Sequence, residues 1–231
     1  LHGSEHSFPT RRSSDLVRDR RRALADTLGR EIVWMDQTHS TQVELIVRGE
    51  IAPTLAASGE ALAQPATGEW GPVDADGIII DARNWQGAPA LAVQTADCLP
   101  VVFSAASGQI VAAVHAGRRG LLGGILEETA QRIRSLDGGT IDALIGPAIC
   151  GRCYEVPADM ADESEALIPG IRSVTSWGTP ALDLPRAAAS SLAARGVRAD
   201  IDERCTLEDA GLFSYRADSS CGRQALIIVP A

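Results

Sequence analysis

The chain has 231 residues, of which 45% are hydrophobic, so it can bury a sizeable core as one large domain or two. The net charge of −9 argues against a nucleic-acid partner, since phosphate backbones require a basic face. No apolar run approaches the roughly 20 residues of a membrane helix, and no signal peptide is visible. Five cysteines, an odd count in a chain too long to need disulfides, predict free thiols in a reducing, cytoplasmic setting.

The first residues differ in character from the rest. Residues 6–16 lack apolar periodicity and read like the translation of a common sequencing adapter. We therefore expect residues 1–16 to be a non-native segment and leave them out of the fold prediction. His2 and His6 fall in this segment, so His39 and His115 are the two credible functional histidines.

The predicted elements follow from apolar spacing and from glycine and proline positions. Helices are predicted over 17–28, 121–136, 157–167 and 182–195. Strands are predicted over 31–35, 41–47, 78–80, 91–93, 110–114, 143–149 and 224–229, with a loop over 49–72. The strand 41–47 shows alternation at Val43, Leu45 and Val47. Because strands and helices mix without a strict βαβ rhythm, we predict a mixed α/β (α+β) fold and not a doubly wound nucleotide-binding fold.

Three side chains capable of chemistry stand where apolar strands end: His39, Cys98 and His115. Two imidazoles and a thiolate suit zinc, and three protein ligands leave a fourth position for a water whose pKa the metal lowers. On spacing alone, packing roles in the core remain equally open for all three, because no compact ligand motif is present. The H-x-E and P-C-x-x-C pair of the usual zinc nucleobase deaminases is absent.

Anion binding is predicted at two places. The segment 117–120 opens a predicted helix, where backbone N–H groups with Arg118 and Arg119 would hold a phosphate. Arg216, within FSYR, is a second candidate for an anion or ribose contact. Each arginine could equally be a solvated surface residue. Asp76 and Asp97 could orient the histidines or simply cap turns.

The remaining cysteines carry weaker signals. Cys150-x-x-Cys153 favours a packed turn over a redox or zinc-knuckle site, because a single CxxC without a second pair is weak. Cys205 and Cys221 are predicted to be structural or incidental.

At six successive blocks a family resemblance becomes specific. QTHSTQVELI, DADGIII, QTADCLPVVF, VAAVHAGRRGLLGGI, IGPAICGRCYEV and CT…FSYRAD…GRQALII resemble the YfiH-like family, also called the laccase-domain or polyphenol oxidase family, which includes purine nucleoside phosphorylases. The resemblance runs from about residue 17 to the C-terminus. It implies β-sheets packed between helices. It also implies a zinc held by the histidine of QxH, the cysteine of ADC and the histidine of HAG, which here are His39, Cys98 and His115.

The resemblance also implies activities. These are phosphorolysis of adenosine, inosine and methylthioadenosine, and adenosine deamination; copper-dependent oxidation of phenols and peptidoglycan editing have also been ascribed to members. The chain departs from the family pattern at Arg118, where tryptophan is usual, and at Ala217, where a second arginine often follows FSYR. The family's N-terminal block is missing ahead of Val17, so we expect residues 17–231 to form a single, N-terminally truncated catalytic domain.

The leading expectation is a zinc-dependent purine nucleoside phosphorylase with adenosine deaminase activity, acting on purine nucleosides and phosphate. Its predicted catalytic and metal-binding residues are His39, Cys98 and His115; its predicted substrate-binding residues are Arg119, Arg216, Asp76 and Gln94. One alternative is a metal-free hydrolase with Cys98 as nucleophile and His115 as base. A copper-dependent polyphenol oxidase is weaker, because multicopper clusters need many imidazoles, although copper could replace zinc in vitro. A non-enzymatic, metal-stabilised partner protein is a further alternative, and the oligomeric state stays open.

Overall fold

A computed structural model describes residues 13–48, 62–63 and 72–231. Within these ranges the helices are α1 (Ser13–Leu28), α2 (Arg118–Leu122), α3 (Ile125–Leu136), α4 (Ala158–Leu167) and α5 (Leu184–Ala194). The strands are β1 (Ile32–Asp36), β2 (Val43–Val47), β3 (Leu62–Ala63), β4 (Val73–Asp74), β5 (Gly77–Asp81), β6 (Ala90–Thr95), β7 (Leu99–Ala105), β8 (Ile110–Ala116), β9 (Ile141–Ile145), β10 (Arg172–Val174), β11 (Pro180–Leu182), β12 (Arg198–Ile201) and β13 (Gln224–Ile228). None of these helices combines the length and the apolar character needed to cross a bilayer.

Two sheets form the centre of the described structure. A seven-stranded sheet has the order β12-β9-β7-β8-β5-β2-β3, and a four-stranded sheet has the order β13-β6-β1-β4. Side chains such as Val33 and Leu91 from the smaller sheet pack with Ile78 and Val111 from the larger one. The space between the sheets is therefore one of the hydrophobic cores.

Helices cover the outer faces of both sheets. Ile125 and Ile133 of α3 and Leu192 of α5 join the core on the outer side of the larger sheet. Leu24 of α1 packs on Trp34, which points outward from the smaller sheet. This layering confirms the predicted mixed α/β fold with sheets packed between helices.

Several element predictions needed correction. The predicted helix 121–136 is two helices, because Gly124 adopts a left-handed conformation (φ 84°) between α2 and α3. In β2 the first four residues are all buried, not alternating, because the strand lies inside its sheet with side-chain layers on both faces. Strand β7 was not predicted. Most of the predicted loop 49–72 and residues 1–12 of the suspected adapter segment lie outside the described residues.

The strand order brings the candidate ligands together. Strands β1 and β6 are parallel neighbours, so the turns that follow them, carrying His39 and Cys98, meet at one edge. Strands β7 and β8 are antiparallel, with Leu99 opposite Ala116, so the start of β7 lies beside the end of β8. That register places His115, near the end of β8, next to Cys98.

Candidate metal centre and substrate cavity

The side chains of His39, Cys98 and His115 converge. Their ligand atoms all lie within 4.8 Å of one another, and Cys98 Sγ is 3.7 Å from His39 Nε2. The two imidazole rings meet edge to face with centroids 4.8 Å apart. Tetrahedral zinc with N and S ligands places neighbouring ligand atoms roughly 3.3 to 3.8 Å apart. The three donors are therefore close to the spacing that one zinc ion requires.

A fully buried carboxylate, Asp76, orients two of these donors. Its Oδ1 lies 2.7 Å from His115 Nδ1 and accepts a hydrogen bond from the backbone N–H of His39 at 3.1 Å. Its Oδ2 accepts from the backbone N–H and the hydroxyl of Ser40, at 2.6 and 2.7 Å. The bond to Nδ1 leaves Nε2 of His115 for a metal, the arrangement in which a carboxylate fixes the tautomer and orientation of a metal-binding histidine.

Both turns that carry ligands contain a non-glycine residue in the left-handed region. His39 has φ 63° and Asp97, which precedes the candidate ligand Cys98, has φ 91°. Such conformations persist only where surrounding contacts enforce them. Asp76 holds the first turn, and in the second the Asp97 carboxylate accepts hydrogen bonds from Thr206 Oγ1 at 2.6 Å and from the backbone N–H of Arg216 at 2.7 Å.

The charges at the centre are strongly coupled. Burial alone raises the pKa of the Cys98 thiol, but hydrogen bonds to His115 and His39 outweigh it and lower the pKa to about 7. Burial lowers the pKa of His115, yet its bonds to Asp76 and Cys98 raise it to about 9. Against the effect of burial, the bonds from His115 and Ser40 hold the pKa of Asp76 at about 2. Thiolate character therefore develops near neutral pH, as a metal ligand or nucleophile needs.

The depressed pKa of Asp76 predicts a pH dependence of stability in the metal-free protein. Because the folded pKa of about 2 lies below the ordinary value of 3.8, the stabilisation is complete above about pH 4 and is lost as the pH falls through 2. We expect the free energy of unfolding by urea to fall in this window, and the Asp76→Asn protein to lack that part of the fall. Identical slopes in both proteins would contradict the assignment.

The three donors lie in the wall of a cavity of about 760 Å³, within the range of small-molecule sites. The same cavity is lined by the cationic side chains of Arg21, Arg216 and Arg223 and by the aromatic rings of Tyr154 and Tyr215. The guanidinium of Arg216 lies 5.5 Å from the centre of the Tyr154 ring, and that of Arg223 lies 5.6 Å from the centre of the Tyr215 ring. Cationic side chains beside aromatic faces suit an anion bound next to a planar ring.

Comparison with known proteins places this arrangement in a family. Residues 5–231 match the family described as multi-copper polyphenol oxidoreductase laccase. The chain belongs to this family. That result confirms the resemblance to the YfiH-like, laccase-domain proteins on which the sequence interpretation relied.

Alignments with named relatives and with a solved structure cover most of the chain. A Mycobacterium tuberculosis protein named purine nucleoside phosphorylase is 41% identical over 203 residues, covering 87% of this chain and 72% of the relative. A Shigella flexneri protein named purine nucleoside phosphorylase YfiH is 34% identical over 223 residues, covering 93% of this chain and 81% of the relative. The crystal structure of a Neisseria meningitidis protein of the DUF152 family is 31% identical, with a TM-score of 0.74 over 99% of this chain and 86% of that one.

In this family member, the predicted substrate-binding residues occupy different places. Gln94 and Arg216 line the cavity beside the three candidate ligands. Asp76 is buried behind His115 and is not among the lining residues, so its contact is with the imidazole. Arg119 is exposed on the short helix α2 and does not line the cavity, so the structure does not bring it to the site.

Sequence reasoning missed several cavity residues. Arg21 projects from α1, where its guanidinium donates to Gln94 Oε1 at 2.8 Å and lies 4.3 Å from the centre of the Trp34 ring. The side chain of Gln37 bonds to the backbone of Gln94 twice, donating to its carbonyl at 2.7 Å and accepting from its N–H at 2.9 Å. Arg21 lies in an arginine-rich helix with no motif, so no local signal distinguished it.

Gly117 provides a test of how closely the centre is packed. A Cβ at this position would lie 2.6 Å from His39 Cδ2 and 3.3 Å from Cys98 Sγ. We expect Gly117→Ala to displace the imidazole and to weaken zinc binding about tenfold or more, as loss of supporting contacts does at metal sites. Gly138→Ala is the matched control, since its Cβ would meet nothing within 4 Å. Equal zinc affinities of the two variants, measured by competition with a chelator, would show that Gly117 does not shape the centre.

Proposed function

We propose that this protein is a zinc-dependent purine nucleoside phosphorylase that also deaminates adenosine. The observation that carries the proposal is the convergence of His39, Cys98 and His115 in a cavity that also presents arginines and tyrosines. Relatives that share 34% to 41% of their aligned residues with this chain are named purine nucleoside phosphorylases. The free thiols also support a reducing, cytoplasmic setting.

The donor set fits zinc. One thiolate and two imidazoles, one of them oriented by Asp76, form a three-ligand site with its open side toward the cavity. When bound, zinc supplies a Lewis acid that polarises a substrate oxygen or water. A multicopper cluster fits poorly despite the family's printed description, because the whole chain has four histidines, two of them in the described part. A single copper ion could still replace zinc at this site in vitro.

The arginines of the cavity are suited to bind phosphate. In phosphorolysis an oxygen of inorganic phosphate bonds to the ribose C1′ as the bond from C1′ to the base breaks, and the departing base takes up a proton. Arg216, Arg21 and Arg223 would bind phosphate by charge-assisted hydrogen bonds and position it for attack. The backbone N–H of Arg216 is bonded to Asp97, so this arginine is anchored to the turn that carries Cys98.

The tyrosines of the cavity are suited to bind the purine base. Tyr154 lines the cavity with a ring that is held against the guanidinium of Arg216, and Tyr215 offers an exposed ring at the same cavity. Planar purines stack on such faces with little dependence on the exocyclic group at C6, which agrees with a range that includes adenosine and inosine. Methylthioadenosine carries the same base as adenosine and differs at the ribose 5′ position, which this stacking does not involve. Adenosine deamination would use water as the nucleophile at C6 and release ammonia from the same bound position.

A metal-free thiol hydrolase is the second candidate, and one observation favours it. The hydrogen bonds link Cys98 to His115 and His115 to Asp76. This is the arrangement of nucleophile, base and orienting carboxylate found in catalytic triads. Metal analysis separates the two proposals. Loss of about one zinc ion per chain in Cys98→Ser supports the zinc site, whereas protein that is active without metal at this centre supports the thiol route.

The activity is tested by a product assay. Purified zinc-loaded protein is incubated with inosine and phosphate, and we expect hypoxanthine and ribose 1-phosphate in equal amounts, with neither formed when phosphate is omitted. With adenosine and no phosphate, we expect slow formation of inosine. The Cys98→Ser protein serves as the inactive control. If zinc-loaded protein forms neither ribose 1-phosphate nor inosine, the proposal is wrong.

A further inference from the structure

A second group of metal-ligating side chains lies outside the centre described above. The ligand atoms of Cys150, Cys153, Cys205 and Glu208 all lie within 4.8 Å of one another. All three cysteines are free, and Cys153 and Cys205 are each only 4% exposed. The proposed phosphorylase mechanism uses none of these groups.

The backbone around the CxxC segment resembles that of a metal knuckle. The backbone N–H groups of Cys153 and Tyr154 both donate to the carbonyl of Cys150 at 2.9 Å, which closes a tight turn and brings the two thiols to one side. The backbone N–H of Cys150 donates to Sγ of Cys205 at 3.3 Å. Hydrogen bonds from the backbone to a sulfur favour its thiolate form, which is the form that binds metals.

The carboxylate of Glu208 completes the group. Its Oε1 accepts from the thiol of Cys153 at 3.4 Å, and its Oε2 forms an ion pair with Arg152 at 3.3 Å. One carboxylate oxygen therefore faces the sulfur atoms, while the other is paired with the guanidinium of Arg152. Partners of this kind commonly orient a ligating carboxylate.

We propose that Cys150, Cys153 and Cys205 bind a second zinc ion, with Glu208 as the fourth ligand. Three thiolates and one carboxylate form a closed tetrahedral set, which is typical of structural zinc and leaves no position for substrate. Soft thiolates select zinc over magnesium or calcium. A role in structural zinc is compatible with the prediction that Cys205 is structural or incidental, and the sequence could not pair it with Cys153 because 52 residues separate the two.

The second ion would join a segment of the cavity wall to a second segment that contacts this wall. The segment 148–155 contains Ile149 and Tyr154, which both line the cavity. The segment 205–208 contains Thr206, whose hydroxyl donates to Asp97 at 2.6 Å. The two segments are already linked by a bridge between Ala148 and Cys205. A metal there would stabilise the folded protein and hold this wall in place.

Counting metal ions in matched variants tests the inference without using activity. After purification under reducing conditions and exhaustive dialysis, we expect two zinc ions per wild-type chain. Cys98→Ser and Cys205→Ser should each retain one ion, and loss of the ion from Cys205→Ser should also lower the melting temperature. Cys221→Ser should retain both ions, because this cysteine belongs to neither group.

Cobalt substitution identifies which site is occupied. The Cys98→Ser protein keeps only the second site, where three thiolates should give about three times the thiolate-to-cobalt charge-transfer absorption of a site with one. This measurement decides the matter even if Cys205→Ser does not fold. A Cys98→Ser protein that binds no cobalt, or that contains a disulfide between Cys150 and Cys153 under reducing conditions, would overturn the second site. Either result would leave the proposal of phosphorolysis at the first site standing.

Discussion

Replacing Cys98 with serine is expected to abolish nucleoside phosphorolysis. The thiolate is the sole soft donor among the three ligands, and a neutral hydroxyl at the same position binds zinc far more weakly. Loss of a supporting partner alone costs about 10- to 100-fold in metal affinity, so loss of the ligand itself should exceed that range. We expect zinc at this centre to fall below detection after dialysis and the rate of ribose 1-phosphate formation to fall at least a hundredfold.

Cys221→Ser is the matched control for this prediction. Cys221 is half-buried and free, and it lies outside both groups of candidate ligands. Its substitution should leave the zinc content unchanged. If Cys98→Ser retained full activity, the proposed role of this cysteine would be untenable.

Replacing Asp76 with asparagine is expected to have the second-largest effect. The carboxylate accepts hydrogen bonds from His115, from the Ser40 hydroxyl and from the backbone N–H groups of residues 38 to 40. An amide would present N–H groups to some of these donors. Leaving buried donors without acceptors costs about 2 to 3 kcal/mol, which lowers the melting temperature of a chain this size by roughly 5 to 10 °C. His115 would also lose its fixed tautomer, so zinc affinity should fall about 10- to 100-fold.

The neighbouring carboxylate Asp74 offers a control of the same chemistry. It is exposed at the end of β4, two residues from Asp76, and it does not line the cavity. Asp74→Asn should change neither melting temperature nor zinc affinity measurably. Equal effects of the two substitutions would mean that loss of negative charge, and not the hydrogen-bond geometry of Asp76, is responsible.

The candidate ligands could be predicted from sequence because each stands at the end of an apolar run. His39 and Cys98 follow predicted strands, and parallel pairing of β1 and β6 brings them to one edge. Their convergence could not be derived from spacing, because it also depends on the antiparallel pairing of β7 with β8 beside His115. Family resemblance supplied what local pattern could not.

The cavity residues show the limit of local patterns more clearly. Arg21 is one of several arginines in α1, and its position depends on how that helix packs over Trp34. Arg119 is predicted as a phosphate contact because the segment 117–120 opens a helix, yet its side chain is exposed and does not line the cavity. Long, flexible side chains are placed by tertiary packing, so sequence pattern alone cannot choose among them.

Secondary structure could be predicted where the apolar periodicity was strong. It was missed or misassigned where that periodicity was ambiguous. Helices α4 and α5 lie almost where they were predicted, with Asp183 capping the start of α5. Strand β7 begins at Leu99, directly after Cys98, so no glycine or polar turn separates its apolar residues from the block that carries the cysteine. The alternation assigned to β2 was wrong because burial on both faces removes the contrast between them.

Zinc reconstitution tests most directly whether His39, Cys98 and His115 hold one ion on which phosphorolysis depends. Protein stripped with a chelator under reducing conditions receives zinc in steps, and ribose 1-phosphate formed from inosine and phosphate is measured at each step, with Cys98→Ser in parallel. We predict no product from the stripped protein, activity that rises with added zinc to a plateau, and no recovery in Cys98→Ser. Full turnover by the stripped protein, or none at any zinc level, would contradict the proposal.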